Sequence, residues 1–190
     1  MLFDEHAETL SRLPVYLLLD TSATMAGAPI EAVNQGVQLL YTQPANTPQT
    51  QTAVSLCAIA FHSFATVIHP LSDLAAFQPP VLRTRGASMM ARALDLTMEC
   101  VERDLRPPAE NHPGDYRPQV VIMSDGKLSD AWENSMRKLQ RHAFRPSRIL
   151  ILFCGSDTPD DAQWRGYTIA HMNQFTGEQF LSLLRWIPLE

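Results

Sequence analysis

Oxygen-bearing side chains follow the first apolar segment of the chain. Asp20, Ser22 and Thr24 stand at alternate positions directly after the run VYLLL at residues 15–19. Carboxylate and hydroxyl oxygens are hard ligands of the kind that Mg²⁺ prefers. The run before them is continuous and apolar, which predicts a strand covered on both faces, as in a parallel sheet. Because open α/β sheets bind ligands at the carboxyl ends of their strands, this loop is the first candidate site.

Another aspartate follows a second apolar run in the same way. Residues 120–123 read VVIM, and Asp125 comes after Ser124. If the two strands lie side by side, the carboxylates of Asp20 and Asp125 point into one crevice, where they repel each other unless a cation or a proton intervenes. The sequence therefore predicts a divalent-metal site for Mg²⁺ (or Mn²⁺/Ca²⁺), with one coordination position open to a carboxylate from outside.

Composition favours a single globular domain over residues 1–190, with residues 1–12 as an N-terminal lead-in. Hydrophobic residues make up 45% of the chain, and 20 acidic against 15 basic residues give a net charge of −5. Without a basic run, no nucleic-acid partner is expected. Apolar runs are shorter than the roughly 20 residues that span a bilayer, and no signal peptide is evident, so we expect no membrane partner and a cytoplasmic location. Cys57, Cys100 and Cys154 lack metal-ligand spacing and are expected to be buried free thiols.

Strands alternate with helices along the chain, which predicts an α/β fold with a doubly wound sheet. Strands are predicted at residues 15–19, 52–61, 64–69, 120–123, 148–154 and 167–170, and helices near 28–41, 89–101, 130–143 and 178–187. The second and third strands are expected to form a tight antiparallel hairpin through His62 and Ser63. Ser88 is predicted to cap the second helix, and Met25, next to the candidate site, is a candidate exposed contact.

The pattern Asp-x-Ser-x-Thr resembles the metal-ion-dependent adhesion site (MIDAS) of von Willebrand factor A (vWA) domains, whose usual first motif is Asp-x-Ser-x-Ser. Within that superfamily the stretches LPVYLLLDTSATMAGAPIEAVNQGVQLL, LSDLAAFQPPVL and YRPQVVIMSDGKLSDAW are similar to the bacterial tellurite-resistance-associated group called TerY-like. The resemblance implies one vWA-like domain over residues 1–190. It implies a three-layer, doubly wound, mostly parallel central sheet with one antiparallel edge strand, in the vWA/Rossmann-like manner. It also implies that Asp20, Ser22, Thr24 and Asp125 bind the metal.

The third loop of the motif departs from the family pattern. That pattern puts a threonine directly after a glycine, whereas here Gly86 is followed by Ala87. Alanine has no ligating atom, and Ser88 is the adjacent residue that supplies a hydroxyl if the loop is shifted. The prediction is a metal site with Ser88 in place of the missing threonine and with weaker metal binding than a complete site has.

The resemblance implies a non-enzymatic protein-protein interaction module that docks an acidic residue of a partner on the metal. It also implies a role in bacterial stress response or tellurite resistance, with a protein kinase or a metal-dependent protein phosphatase as the partner. One alternative is a metal-free interaction scaffold. Another is a haloacid-dehalogenase-like phosphatase, whose Asp-x-Asp-x-Thr motif is similar. Ser22 then stands where the general acid belongs, and a hydroxyl cannot donate a proton near neutral pH as a carboxylic acid can.

Overall fold

A mixed sheet forms the centre of the fold. The computed structural model describes residues 11–42, 54–110, 112–155 and 164–171. Its strands are β1 (Leu13–Asp20), β2 (Val54–Phe61), β3 (Ala65–Asp73), β4 (Gln119–Ser124), β5 (Arg148–Phe153) and β6 (Thr168–His171). They are ordered β3-β2-β1-β4-β5-β6, and only the β2–β3 pairing is antiparallel among these described strands. The predicted fold class, mostly parallel with one antiparallel edge, is confirmed.

Helices cover both faces of the sheet, which makes the fold three-layered. The helices are α1 (Ala28–Thr42), α2 (Met90–Asp104) and α3 (Glu133–Arg141). Alternate residues of β1 point to opposite faces of the sheet. Leu17 and Leu19 belong to the core layer that includes Val33 and Val37 of α1, whereas Tyr16 and Leu18 pack in the layer formed with α2 and α3. Because β1 is buried along its whole length, its sequence is a continuous apolar run without polar alternation.

The edge strand β3 is longer than predicted. β3 continues to Asp73 instead of ending at residue 69, and Pro70 lies within it. Proline is tolerated on an edge strand or at a bulge, because no ladder hydrogen bond then needs its missing N–H. The pairing of β2 with β3 is irregular at that point, with register shifts between Leu56 and Ile59.

Helix ends also differ from their predictions. Ser88 does not cap α2, which has Met89 at its N-cap and no side-chain cap hydrogen bond from it. Instead Asp130, from the segment before α3, accepts a hydrogen bond from the Ala91 N–H at 2.8 Å in the first turn of α2. α3 is shorter than predicted and begins at Glu133.

Some predictions fall outside the described residues, namely the closing helix at 178–187 and most of the lead-in at 1–12. Cys57, Cys100 and Cys154 are buried free thiols, as predicted. Within the residues that the structure describes, no helix has both the length and the apolar character needed to cross a bilayer.

Candidate metal site at the carboxyl edge of the sheet

Two central strands bring the candidate site together. β1 and β4 are parallel neighbours with Leu19 opposite Met123, so Asp20 and Ser124 end adjacent strands at the same edge. The Oγ atom of Ser124 donates a hydrogen bond to Oδ2 of Asp20 at 2.6 Å. This contact joins positions 104 residues apart and places the Ser124–Asp125 loop directly beside Asp20.

The Asp20 carboxyl group is fully buried, with 0% of the residue exposed. Its Oδ1 accepts the Ser22 N–H at 2.9 Å, and its Oδ2 accepts the hydroxyls of Ser88 at 2.8 Å and Ser124 at 2.6 Å. Burial raises the pKa of Asp20, and these hydrogen bonds partly oppose that rise because they stabilise the charged form. All three donors are uncharged, so a cation would add the compensation that they lack.

Ser22 and Thr24 extend the site from Asp20 towards solvent. Their hydroxyl oxygens are 3.0 Å apart, so one donates to the other. Ser22 is buried and Thr24 is exposed, so the accessible side of the site is the Thr24 side. A short 3₁₀ turn, Ala23–Met25, keeps these residues close after β1 ends.

Asp125 has one satisfied and one unsatisfied oxygen. Its Oδ1 accepts the Lys127 N–H at 3.0 Å. Its Oδ2 is buried and has no hydrogen-bond partner among the described residues. Leaving a buried acceptor unpaired costs on the order of 1–3 kcal/mol. A ligand that supplies a positive charge or a hydrogen-bond donor would therefore stabilise this atom.

The third loop reaches the site through Ser88. The Ala23 N–H donates to the Gly86 carbonyl at 2.9 Å, and the Arg85 N–H donates to the Thr21 carbonyl at 2.8 Å. Ala87 is exposed, whereas Ser88 is 1% exposed and its hydroxyl touches Asp20. The loop thus brings Ser88 to the aspartate.

Sequence reasoning missed Ser124 as a site residue and misplaced Met25. In the sequence, Ser124 is recognisable only as the residue between an apolar run and Asp125. Its contact with Asp20 could not be predicted, because it depends on the pairing of β1 with β4. Met25 was expected to be exposed but is fully buried, and its sulfur accepts the Asp125 N–H at 3.1 Å. The reason is the 3₁₀ turn, which folds Met25 beneath the loop instead of towards solvent.

The donor set is made of carboxylate and hydroxyl oxygens. Within the described ranges, no group of three or more His, Cys, Asp or Glu side chains is close enough to hold a metal ion. Any cation here would therefore rely on Asp20, Asp125 and neighbouring hydroxyls. A hydroxyl that donates its proton to Asp20 keeps lone pairs for another partner, and a carboxylate has about four lone-pair sites. The residues present are of a type that suits Mg²⁺ or Mn²⁺.

Structural comparison identifies relatives of the fold. A von Willebrand factor type A protein from Catenulispora acidiphila matches with a TM-score of 0.64 and 14% identity, over 92% of this chain and 41% of its own. The PilB minor pilin of Streptococcus sanguinis (D319A mutant) matches with a TM-score of 0.64 and 10% identity, over 95% of this chain and 62% of its own. The manganese-loaded TRAP protein of Plasmodium vivax matches with a TM-score of 0.52 and 19% identity, over 86% and 70%.

These likenesses concern the fold. The chain spans less than two thirds of the length of the Catenulispora and Streptococcus chains. No protein-family model matches this chain, and no curated protein matches its sequence. Together with the strand order and the three-layer arrangement, the comparisons show that the chain has the fold of von Willebrand factor A domains.

Proposed function

We propose that this protein is a non-catalytic protein-protein interaction module that docks an acidic residue of its partner on a divalent cation. The observation that carries the proposal is the buried Oδ2 atom of Asp125, which has no hydrogen-bond partner among the described residues and lies in the loop next to the buried Asp20 carboxyl group. Neither carboxylate receives a charged donor in the hydrogen bonds described above. A cation bound there would satisfy Asp125 and neutralise both carboxylates.

Each residue has a distinct part in the proposed site. Asp20 and Asp125 supply negative charge, directly or through water, and Ser22 and Thr24 supply hydroxyl oxygens. Ser88 fixes the orientation of Asp20 and offers its own oxygen in place of the threonine that the vWA pattern has. When bound, Mg²⁺ or Mn²⁺ acts as an electrophile that attracts a carboxylate from the partner. That carboxylate approaches from the exposed Thr24 side.

A phosphatase function has less support. In that reading Asp20 is the nucleophile, and a nucleophile must reach its substrate. Asp20 is fully buried, and both of its oxygens already accept hydrogen bonds. Ser22 occupies the position of the general acid and cannot supply a proton near neutral pH. We therefore propose that the protein is not an enzyme.

The biological setting is proposed from sequence resemblance alone. The TerY-like stretches support a role in bacterial stress response or tellurite resistance, and we propose that the protein acts in the cytoplasm. They also support a protein kinase or a metal-dependent protein phosphatase as the partner that presents the acidic residue. The manganese-loaded neighbour of the same fold is a reason to use Mn²⁺ as the first metal probe.

Calorimetric titration with Mn²⁺ and Mg²⁺ tests the cation. We expect saturable binding that is weaker than micromolar, because Ala87 lacks a ligand atom, and we expect Asp125→Asn to abolish it. Glu99→Gln, an exposed change on α2, is the matched control and should bind as the wild type does. Sub-micromolar affinity would contradict the role given to Ala87. Equal affinity of wild type and Asp125→Asn would overturn the site.

Capture of the partner from native cells, with and without EDTA, separates the two binding functions. Capture that EDTA abolishes and Mn²⁺ restores supports the cation bridge. Capture that is insensitive to EDTA and to Asp125→Asn favours the alternative, a metal-free interaction scaffold with the same fold. The Glu99→Gln variant again serves as the control, since its charge change lies away from the site.

A further inference from the structure

A basic and aromatic strip lies on the surface next to the candidate metal site. We define the basic strip as Arg85, His62, Phe64 and Arg92. The Arg85 Nε–H donates to Nε2 of His62 at 3.0 Å, and the rings of His62 and Phe64 meet edge to face with centroids 6.0 Å apart. The guanidinium carbon of Arg92 lies 5.9 Å from the centroid of the Phe64 ring. The four side chains therefore form one continuous surface.

The basic strip stands at the same edge of the sheet as Asp20. The turn at residues 62–64 follows β2, and β2 pairs in parallel with β1 so that Phe61 is opposite Asp20. The Ala87 N–H donates to Oγ of Ser63 at 3.1 Å, and the Met89 N–H donates to the His62 carbonyl at 3.2 Å. The loop at residues 85–89, which places Ser88 next to Asp20, thus also forms hydrogen bonds with the turn at residues 62–64.

The charged and apolar groups of the strip are available to a partner. Phe64 is 64% exposed, whereas most large apolar side chains in the described ranges are buried. Arg85 and Arg92 are exposed, and neither guanidinium forms a salt bridge in the part of the chain described. The Arg85 hydrogen bond needs an unprotonated Nε2 on His62, and burial and the nearby Arg85 lower the pKa of His62, which favours that neutral ring. Among the described residues, therefore, neither guanidinium charge is paired with a carboxylate, although the net charge of the protein is −5.

We propose that the basic strip binds a segment of a partner protein in which acidic residues flank an apolar side chain. Arg85 and Arg92 pair with the carboxylates, and the apolar side chain packs on Phe64. Guanidinium groups suit this role because they bind carboxylates through paired hydrogen bonds. This inference rests on the proposed function in one respect, namely that one acidic residue of the segment also reaches the cation. The inference adds which other side chains the partner segment must have, namely acidic residues for the two arginines and an apolar residue for Phe64.

Titration of the ¹⁵N-labelled full chain with a synthetic peptide, Glu-Asp-Leu-Asp-Glu with blocked ends, tests the proposal by amide chemical shifts in the presence of Mg²⁺. We expect shifts at residues 62–64 and 85–88. The double variant Arg85→Ala/Arg92→Ala should lose affinity by on the order of tenfold, as expected for two partly exposed charge pairs. Lys138→Ala/Arg141→Ala removes the same charge from the last turn of α3 and should bind as the wild type does.

Phe64 has its own matched pair of variants. Phe64→Ala should weaken peptide binding, whereas Phe144→Ala, another exposed aromatic residue, should not. A peptide with Gln and Asn in place of Glu and Asp should not bind. If the neutral peptide binds as tightly as the acidic one, or if the acidic peptide causes no shifts at millimolar concentration, the proposal is wrong.

Failure of the strip and failure of the cation bridge give different results. If EDTA abolishes peptide binding but Arg85→Ala/Arg92→Ala binds normally, the cation bridge stands and the strip proposal is wrong. If the arginine variant binds weakly while EDTA and Asp125→Asn change nothing, the strip proposal is supported and the cation bridge is wrong. Unchanged amide spectra of the free variants outside the substituted sites confirm that each one is folded.

Discussion

The hydroxyl of Ser88 donates a hydrogen bond to Oδ2 of Asp20 at 2.8 Å, although the two residues are 68 positions apart. Both side chains are buried, and the contact joins the loop before α2 to the end of β1. Ser88 is thus the hydroxyl that the third loop offers to the site, next to an alanine where the vWA pattern has threonine.

Ser88→Ala removes a hydrogen bond from a buried carboxylate. We expect a loss of about 1–3 kcal/mol in the free energy of unfolding and a fall in Mn²⁺ affinity of roughly tenfold or more, as for residues that orient metal ligands. Urea unfolding and calorimetry measure the two effects. Glu99→Gln, which alters an exposed side chain on α2, is the control and should change stability by less than about 0.5 kcal/mol. Unaltered metal affinity in Ser88→Ala would show that its hydroxyl plays no part in the site.

Ala87→Thr restores the hydroxyl that the vWA pattern has after the glycine of this loop. We expect the Mn²⁺ affinity to rise, by on the order of tenfold, because a further oxygen ligand becomes available. Ala87→Val has nearly the same shape without the hydroxyl and should leave the affinity unchanged. Equal affinity in the Thr and Val variants would mean that Ser88 already fulfils the role.

Ser124→Ala tests the contact between the two central strands. Ser124 donates to Asp20 and accepts the Gly126 N–H at 3.0 Å. Its loss leaves the buried Gly126 N–H without this acceptor and removes one of the two hydroxyls that bind Oδ2 of Asp20, the other being Ser88. We expect a loss of about 2–4 kcal/mol in the free energy of unfolding, from roughly 1–3 kcal/mol for the unpaired Gly126 N–H and roughly 1 kcal/mol for the lost hydrogen bond to Asp20. Chemical denaturation monitored by tryptophan fluorescence measures it. A change no larger than that of the Glu99→Gln control would contradict the importance of this contact.

Gly86→Ala tests the backbone of the third loop. Gly86 has a φ of +70°, and an added Cβ would lie 2.5 Å from Oγ of Ser63. Gly27 has a φ of +86° with nothing within 4 Å of the added Cβ, so Gly27→Ala measures the backbone cost alone. We expect about 1–2 kcal/mol for Gly27→Ala and a larger loss for Gly86→Ala. The additional loss of unfolding free energy in Gly86→Ala, relative to Gly27→Ala, should shrink in the double variant Gly86→Ala/Ser63→Ala. If it does not shrink, the additional loss comes from a contact other than that with Ser63.

Arg12 and Asp115 form an ion pair that contributes pH-dependent stability. Their side chains are 16% and 0% exposed, and the shortest N–O distance is 2.6 Å. Burial raises the pKa of Asp115, but hydrogen bonds from Arg12 and from the Arg106 N–H outweigh it, so the pKa is lowered overall. A carboxyl group whose pKa is lowered on folding stabilises the protein above its unfolded pKa of about 3.9, and this contribution is lost as the pH falls through the folded pKa.

Asp115→Asn should therefore cost about 1.5–3 kcal/mol at neutral pH, and its difference from wild type should shrink below about pH 4. Urea unfolding at a series of pH values measures this difference. Glu102→Gln changes a carboxylate that is 63% exposed and should cost less than about 0.5 kcal/mol throughout. A cost for Asp115→Asn that is constant down to pH 2 would show that its origin is not ionic.

Sequence alone was sufficient for the central strands and for the aspartates that end them. β1 and β4 are covered on both faces, and complete burial produces a continuous apolar run that can be recognised without any partner. The change from that run to Asp20, and again to Ser124 and Asp125, marks the end of each strand. Because parallel strands end at one edge, the sequence also predicted which loops would meet.

Only the tertiary structure determined which atoms come into contact at the carboxyl ends of these strands. Ser124 and Ser88 reach Asp20 over 104 and 68 residues, and Met25 turns beneath the loop, because strand register and a 3₁₀ turn position them. The basic strip likewise joins a turn after β2 to a loop and helix more than 20 residues later. Local sequence patterns record burial and periodicity, whereas contacts between distant segments depend on strand order and on the path of the loops, which no short pattern encodes.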